Sequence, residues 1–485
     1  MRMIQETIGI QGLAHFIGMK MKDGFGIGCM YIREPSRVTE RCMETVLISS
    51  DDVIRITSEL TDMSYPSVSQ TISAASIYER EMFEFSNVLP LKHPDLRPLR
   101  LRESGSYPLC KNNSEKTTKS FPIPGNGMFG EGIFEIPVGP IHAGVIEPGH
   151  FRFSVAGEPI LMLRTYLGYV HRGIEKTLET SINKDQLRLM ERVSGDNGIA
   201  HSLAYLQVIE QDSDIPDRAK YIRTMLAELE RMYYLLGGIS GTALDTALTV
   251  PAAKGTELKE RMMRLNHRIS GNRFLRGMLK IGGVRKDIGK DTLDDIEKEV
   301  MRMRFDAEEL MNVILSSPSF MDRAEGTGTL SKEDAIRLRI VGPAARASSV
   351  DNDVRKQHPY EAYGTIGMKV PVQTSGDVHA RLKVKCDELF ESISIITQCI
   401  SFMEHGPVYT DVKIKDGFRI GLTESPRGEL IHCANIVNGK VWRYKIRDPS
   451  FPNWTALEAA VLGNIVPDFP LINKSFDLSY SGNDL

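Results

Sequence analysis

Two short polar stretches hold most of the side chains in this chain that could do chemistry together. One is Glu191-Arg192-Val193-Ser194-Gly195-Asp196-Asn197, and the other, near the last residue, is Asp477-Leu478-Ser479-Tyr480-Ser481-Gly482-Asn483. Ser194, Asp196, Asn197, Asp477 and Ser479 offer hydroxyl, amide and carboxylate groups that can hydrogen-bond one another, a water, or the carbonyl of a bound molecule. None of them is a soft ligand. A serine hydroxyl or an asparagine amide substitutes poorly for a thiolate toward nickel or iron, and Gly482 has no side chain at all. A third segment, Gly139 to Phe153, sets His142 and His150 beside glycines with Glu147 between them. A hydrogen bond there could present an imidazole to a cavity, and a carboxylate in a cavity has its pKa raised and can relay protons. The competing use is structural: histidines that fasten a turn, and an exposed turn carboxylate.

These groups need a scaffold, and the rest of the chain bounds it. The 485 residues suit about three domains of roughly 150 each, and 41% hydrophobic with 25% charged residues is an ordinary globular composition. A net charge of −3 excludes a generic nucleic-acid binder. The absence of any apolar run of about 18 residues excludes a membrane-spanning helix, and Met1 to Glu6 lacks the apolar core of a secretory signal. The six cysteines at 29, 42, 110, 386, 399 and 433 form no C-x-x-C pair and read as reduced, buried thiols. Thr45-Val46-Leu47-Ile48 reads as a strand and Asp51 to Leu60 as a capped helix. The apolar-free run 111–120, followed by Pro122, Pro124, Gly125 and Gly127, reads as a linker. It divides the chain into domains 1–115 and 116–485. Apolar residues at helical spacing predict helices over 216–236, 292–315 and 380–404. Beyond residue 410 the chain returns to strand-like runs such as Gly439 to Tyr444. The basic run from Arg261 to Lys290 reads as a solvated face or as a docking surface for an acidic partner.

Ile77-Tyr78-Glu79-Arg80-Glu81-Met82-Phe83-Glu84-Phe85 with His93-Pro94-Asp95-Leu96-Arg97 resembles the signature of the 30-kDa-type subunit of respiratory complex I. The alternating charges themselves read as a solvated or interfacial ion-pair network. Downstream, an ordered set resembles the 49-kDa-type subunit and the large subunits of membrane-bound (group 4) nickel-iron hydrogenases. It comprises Gly139-Pro140-Ile141-His142-Ala143-Gly144, Glu147 to Phe153, Tyr169-Val170-His171-Arg172-Gly173-Ile174-Glu175-Lys176, His201 to Tyr205, Gly342-Pro343, Arg346 to Ser348, Asp353 to Lys356, and Glu424 to Glu429. The two polar stretches then fall where that family carries R-x-C-G-x-C and D-P-C-x-x-C, with Ser194, Asn197, Ser479 and Gly482 in the four thiolate positions. The resemblance implies an α+β fold. A small N-terminal α+β domain precedes a mainly helical, hydrogenase-large-subunit-like domain with an N-terminal β-hairpin and short C-terminal strands.

What the resemblance implies for function follows from those substitutions. No metal and no cofactor is expected on this chain, and hydrogenase activity is not expected. The stop at Leu485 leaves no tail of the kind hydrogenase precursors lose on maturation. The expected role is a peripheral-arm subunit of a membrane-bound, complex I-like NAD(P)H/quinone-type oxidoreductase, on the cytoplasmic face of the membrane. The expected partners are a small iron–sulfur subunit with a 4Fe-4S cluster, other peripheral-arm subunits and antiporter-like subunits of the membrane arm. Electrons would pass to a quinone and drive ion translocation. His142, Glu147, His150 and Asp477 are the expected catalytic residues, and Ser194, Asp196, Asn197, Ser479 and Gly482 the expected cavity wall. Arg172 would lie beside the partner's cluster or pair with Glu175. The quinone-binding tyrosine of the complex I branch has no counterpart in Glu179 to Asp185. The alternative is a coupling scaffold whose cavity is closed.

Overall fold

The computed structural model describes residues 2–36, 40–101, 107–111, 127–128, 130–142 and 146–485. The boundary expected near residue 115, with all of the linker but Lys111, lies outside the described residues, as do Ala143 and Gly144. The N-terminal part is a four-stranded sheet. Its strands β1 (Arg2–Thr7), β2 (Gly26–Arg33), β3 (Cys42–Ile48) and β4 (Asp52–Glu59) lie in the order β1-β4-β3-β2, with helix α1 (Leu13–Lys22) between the first two. Strand β4 corrects the helix expected at Asp51 to Leu60. Its β-branched Val53, Ile54, Ile56 and Thr57 fit a pleated surface better than a helix. The strand is also central, parallel to β1 and antiparallel to β3. Neither neighbour is visible in the local pattern.

Helix α2 (Ser76–Ser86) follows, and its charged residues are not a solvated face. Glu79, Arg80, Glu81 and Glu84 are all buried. Each is a staple. Glu79 accepts from Ser67 Oγ and the Val68 and Ser69 amides, and Arg80 donates to the Arg97 and Pro98 carbonyls. Glu84 accepts from the amides of Leu99, Arg100 and Leu101. Glu81 reaches out of the N-terminal part to Lys445, 2.6 Å away.

The expected hairpin is an antiparallel pair, β5 (Ile133–Val138) and β6 (His150–Ala156), extended by a third strand β7 (Ile160–Tyr166). A helical body succeeds it: α3 (Gly198–Glu210), α4 (Asp217–Asp245), α5 (Thr249–Ser270), α6 (Lys290–Leu315) and α7 (Val378–Phe402). The predicted periodicities at 216–236, 292–315 and 380–404 are α4, α6 and α7. Helix α4 is the axis of this body, with Ile222, Met225, Leu229, Met232 and Leu236 fully buried in the larger core. Beyond residue 410 the expected strands are a meander, β8 (Gly417–Ser425), β9 (Gly428–Val437) and β10 (Lys440–Arg447). Three helices that were not expected follow it: α8 (Ser450–Ala460), α9 (Phe469–Phe476) and α10 (Tyr480–Asp484).

The second core joins the two halves of the chain. Ile27, Val46, Val53 and Tyr78 pack in one apolar cluster with Val354, Ile420, Leu422, Ile431 and Phe451. A face of the meander therefore covers the N-terminal sheet, and Tyr31 Oη donates to Asn435 Oδ1 across the junction. Burying both faces removes apolar area from water at roughly 25 cal/mol per Å². Among the described residues no helix is long and apolar enough to cross a membrane.

Candidate functional site

The two polar stretches meet. The first is the turn that leads into α3, and the second is the turn between α9 and α10. Ser194 Oγ lies 2.9 Å from Ser479 Oγ, and it also donates to Asp196 Oδ1 at 3.1 Å. Ser479 Oγ accepts the Gly482 amide at 2.9 Å, capping the first turn of α10. Arg172 fastens the junction. Its guanidinium donates to the carbonyls of Arg192 (2.7 Å), Val193 (2.6 Å) and Ser481 (3.1 Å), so one side chain bridges both stretches. Glu175, the alternative partner, is held instead by Arg443 at 2.7 Å and Lys445 at 3.2 Å.

Behind this junction the space is filled. A Cβ at Gly482 would lie 2.6 Å from Asp448 Oδ2. Asp448 is fully buried and accepts from His201 Nε2 at 3.1 Å and from the Ser450 amide at 2.7 Å. The chain of contacts continues from His201 Nδ1 to His432 Nε2 (3.1 Å) and from His432 Nδ1 to the Tyr444 hydroxyl (2.9 Å). Burial, with His201 alongside, holds His432 well below the usual imidazole range. Asn197 is also fully buried, and its side-chain amide has no hydrogen-bond partner among the described residues.

A nickel-iron centre does not fit these donors. Two of the four positions are serines hydrogen-bonded to each other, one is an amide, and at the fourth a carboxylate occupies the volume a ligand side chain would need. Soft metals require thiolates that this constellation does not contain.

In front of the junction lies an open cavity of about 730 Å³. Glu147, Ser194, Asp196, Asp477 and Ser479 line it; Asn197 and Gly482 are not among its lining. His142 and His150 are not among its lining. His142 Nε2 lies 2.8 Å from the Gly149 carbonyl and His150 Nδ1 3.3 Å from the Gly139 carbonyl, which fastens the β5–β6 loop. Glu147 accepts the Ser481 amide at 3.0 Å.

The electrostatics of the cavity centre on Arg427, at the β8–β9 turn. Nη1 and Nη2 each lie 2.9 Å from an Asp196 carboxylate oxygen, a two-pronged geometry that arginine alone provides. Its Nε donates to the Asp477 carbonyl at 2.8 Å, and its guanidinium stacks 4.4 Å from the Tyr234 ring centroid. Desolvation alone would raise Asp196, but the Arg427 guanidinium overrides it and holds the carboxyl below its usual range. Asp477 has a left-handed backbone, φ 54°, which turns its side chain back toward α9. Lys474 Nζ lies 2.8 Å from its Oδ1; against the upward push of burial, Lys474, Lys385 and Arg427 hold this carboxyl far below the ordinary range. Asp245, at the end of α4, is pushed up by burial.

Sequence reasoning missed Asp245, Arg276, Lys474 and Asp448. Arg276 lay inside the basic run, of which Arg261 pairs with Glu299, and Arg264 and Arg273 with Glu260, within the chain. Lys474 carried a usable signal, since it precedes Asp477 by one helical turn. Nothing local marked Asp448.

Comparison with known proteins identifies the family. Residues 13–119 match the family model of the 30 Kd subunit of respiratory-chain NADH dehydrogenase, and residues 245–415 and 410–484 match that of its 49 Kd subunit. Formate hydrogenlyase subunit 5 of Escherichia coli is 33% identical, over 89% of this chain and 79% of that protein. The carbon monoxide-induced hydrogenase of Rhodospirillum rubrum is 32% identical over 71% of this chain and 97% of its own length. The NADH-quinone oxidoreductase C/D protein of Phocaeicola vulgatus is 29% identical over 93% of this chain and 91% of that protein. With both matches in one polypeptide, the chain belongs to the family of the 30- and 49-kDa subunits of complex I and the related hydrogenase subunits, as a peripheral-arm subunit of a complex I-like oxidoreductase.

Proposed function

We propose that the cavity between the two polar stretches receives a quinone, to which electrons pass from a 4Fe-4S cluster on a small partner subunit. The observation that carries this is the cavity's composition. Its floor offers Arg427 and Lys474, whose remaining N–H groups suit a carbonyl that gains negative charge, beside the Ser194 and Ser479 hydroxyls, whose hydrogens are taken by Asp196 and by each other. Its walls include Ile146, Leu244, Phe274 and Leu478, and the side chains of Ile146 and Leu244 stand exposed at the surface. An apolar rim over a polar floor matches a molecule with a polar head and a greasy tail. In this reading the complex sits on the cytoplasmic face of the membrane and couples reduction to ion translocation by its membrane-arm partners. Arg172, bridging the two stretches near the surface, is the residue nearest in role to a cluster neighbour.

A second reading has a specific observation behind it. Asp448 fills the space at Gly482 and the two serines satisfy each other, so part of the ancestral pocket is closed, as a coupling scaffold would have it. Titrating a short-chain quinone into the purified, reduced complex separates the two. Quinone reduction predicts a saturable acceleration of cluster reoxidation that the Asp477→Ala variant loses. No saturable acceleration, with unchanged turnover in that variant, selects the scaffold.

A further inference from the structure

The wall behind Asp477 holds a cation that quinone binding leaves unused. Lys385, on α7, has a side chain 2% exposed, and its amine nitrogen has no hydrogen-bond partner among the described residues. Its nearest opposite charge is Asp477 Oδ2 at 3.9 Å, beyond hydrogen-bonding distance, while Lys474 already holds the other oxygen at 2.8 Å. Gly238 of α4 makes the approach possible, because a Cβ there would stand 2.7 Å from Asp477 Oδ2 and 3.3 Å from Lys385 Nζ. The same molecule shows what a structural buried lysine looks like. Lys445 is fully buried, and its amine lies 2.6 Å from each Glu81 oxygen and 3.2 Å from Glu175. A buried ammonium without such partners is costly, and a neutral amine is not. The charges facing Lys385 are Lys474 from α9 and Asp477 just beyond it, Arg427 from the β8–β9 turn and Arg381 one turn away on α7. Burial pushes the amine down to about 8, the three cations push the same way, and only Asp477 opposes.

We propose that Lys385 is the proton-storing residue of this cavity, part-deprotonated beside an uncharged occupant and fully protonated when the occupant gains an electron. This rests on the reading that a quinone accepts electrons there. The balance is simple: the partner's iron–sulfur cluster loses one electron, the quinone gains it, and the amine takes one proton from solvent to become an ammonium. Asp477 stands between amine and cavity, so the new negative charge in front and the new positive charge behind offset each other through it. Lys385 does not touch the quinone; it sets the charge of the wall that does.

Two variants test this in the purified complex: Lys385→Met, which keeps the bulk and cannot titrate, and Lys385→Arg, which keeps the charge. Wild-type quinone reduction is expected to show an inflection near pH 8 that both variants lose. Lys385→Met should slow turnover on the order of tenfold, the equivalent of one pKa unit of driving force, with KM for the quinone little changed. A readout without quinone is thermal unfolding from pH 7 to pH 10. The folded-state pKa lies below the unfolded one, so between about 8 and 10.5 the folded chain binds fewer protons, and wild-type Tm should rise with pH relative to Lys385→Met. A Tm difference that stays flat across that range, or a wild-type inflection that survives in Lys385→Met, overturns the proposal. If the Tm difference opens while the wild type reduces no quinone, the storage role falls together with the quinone reading, and the part-deprotonated buried amine alone stands.

Discussion

Replacing Gly482 with alanine puts a methyl group where a carboxylate already sits. The new Cβ would lie 2.6 Å from Asp448 Oδ2, 2.7 Å from Cγ and 3.0 Å from Oδ1, all well inside van der Waals contact. Asp448 is not free to move away. It is fully buried, with one oxygen on His201 Nε2 and the other on the Ser450 amide. Two effects oppose each other in this variant. Alanine is the better residue inside α10 by roughly 1 kcal/mol. Against that, overpacking costs about 1–3 kcal/mol, and giving up one hydrogen bond to a charged group costs about 1.5–3 kcal/mol. The net expectation is a destabilisation of about 2–4 kcal/mol, read as a lower urea midpoint at unchanged slope. A double-mutant cycle then identifies the cause. In an Asp448→Ala background the methyl meets no carboxylate, so the Gly482→Ala cost should vanish and leave alanine's helix preference of roughly 1 kcal/mol. Equal costs in both backgrounds would refute the packing explanation, and with it the claim that a thiol cannot be put back at this position without displacing Asp448.

Two further outcomes follow from groups outside the cavity. Arg355 is buried between Asp353 and Glu228, at 2.7 Å and 3.1 Å. Arg355→Met leaves Asp353 only the longer Arg346 pair at 3.5 Å while Glu228 keeps Arg231 at 3.1 Å, and should cost about 3 kcal/mol in chemical denaturation. Glu230 accepts the Ile199 and Ala200 amides, yet burial raises it to about 8 from the ordinary 4.5. The folded chain therefore keeps a proton that the unfolded chain releases. That contribution is complete below about pH 4.5 and is lost as pH rises through about 8. Urea midpoints of wild type minus Glu230→Gln should fall from pH 5 to pH 9, and a constant difference would show that Glu230 is ionised throughout.

Much of the helical body was legible because its signal is local and repeats. Ile222, Met225, Leu229, Met232 and Leu236 mark one buried axis in α4, and no distant partner is needed to see it. The strand Asp52–Glu59 was misread for the opposite reason. Short apolar runs are ambiguous in period, and what settled this one was pairing with β1 and β3 on either side. Charge was legible only as composition. Glu79 to Glu84 looks like a surface stripe, but two backbone segments turn their amides and carbonyls into it. The meeting of Ser194 with Ser479 was legible through resemblance alone, because no local rule joins residues so far apart in the chain. Lys385 had no signal: Lys383 and Lys385 read alike in sequence, and only the packing of α4 and α9 makes one buried.

The geometry also divides the four positions that the resemblance sets against the family's thiolates. Of the four positions, 194 and 479 face the cavity while 197 and 482 are not among its lining. The pair that faces inward consists of hydroxyls bonded to each other and to Asp196; of the other two, Asn197 is an amide without a partner among the described residues, and at Gly482 the space is filled by Asp448. Here the back is packed solid by Asp448, His201 and His432, and the front is open and lined by Arg427, Lys474 and Asp477. Arg172 and Arg427 do the joining, one holding the two turns by their carbonyls and the other holding Asp196 and the Asp477 backbone. An occupant would therefore sit nearer the Asp477–Lys474 side than the centre a four-ligand metal would take, beside the buried amine of Lys385.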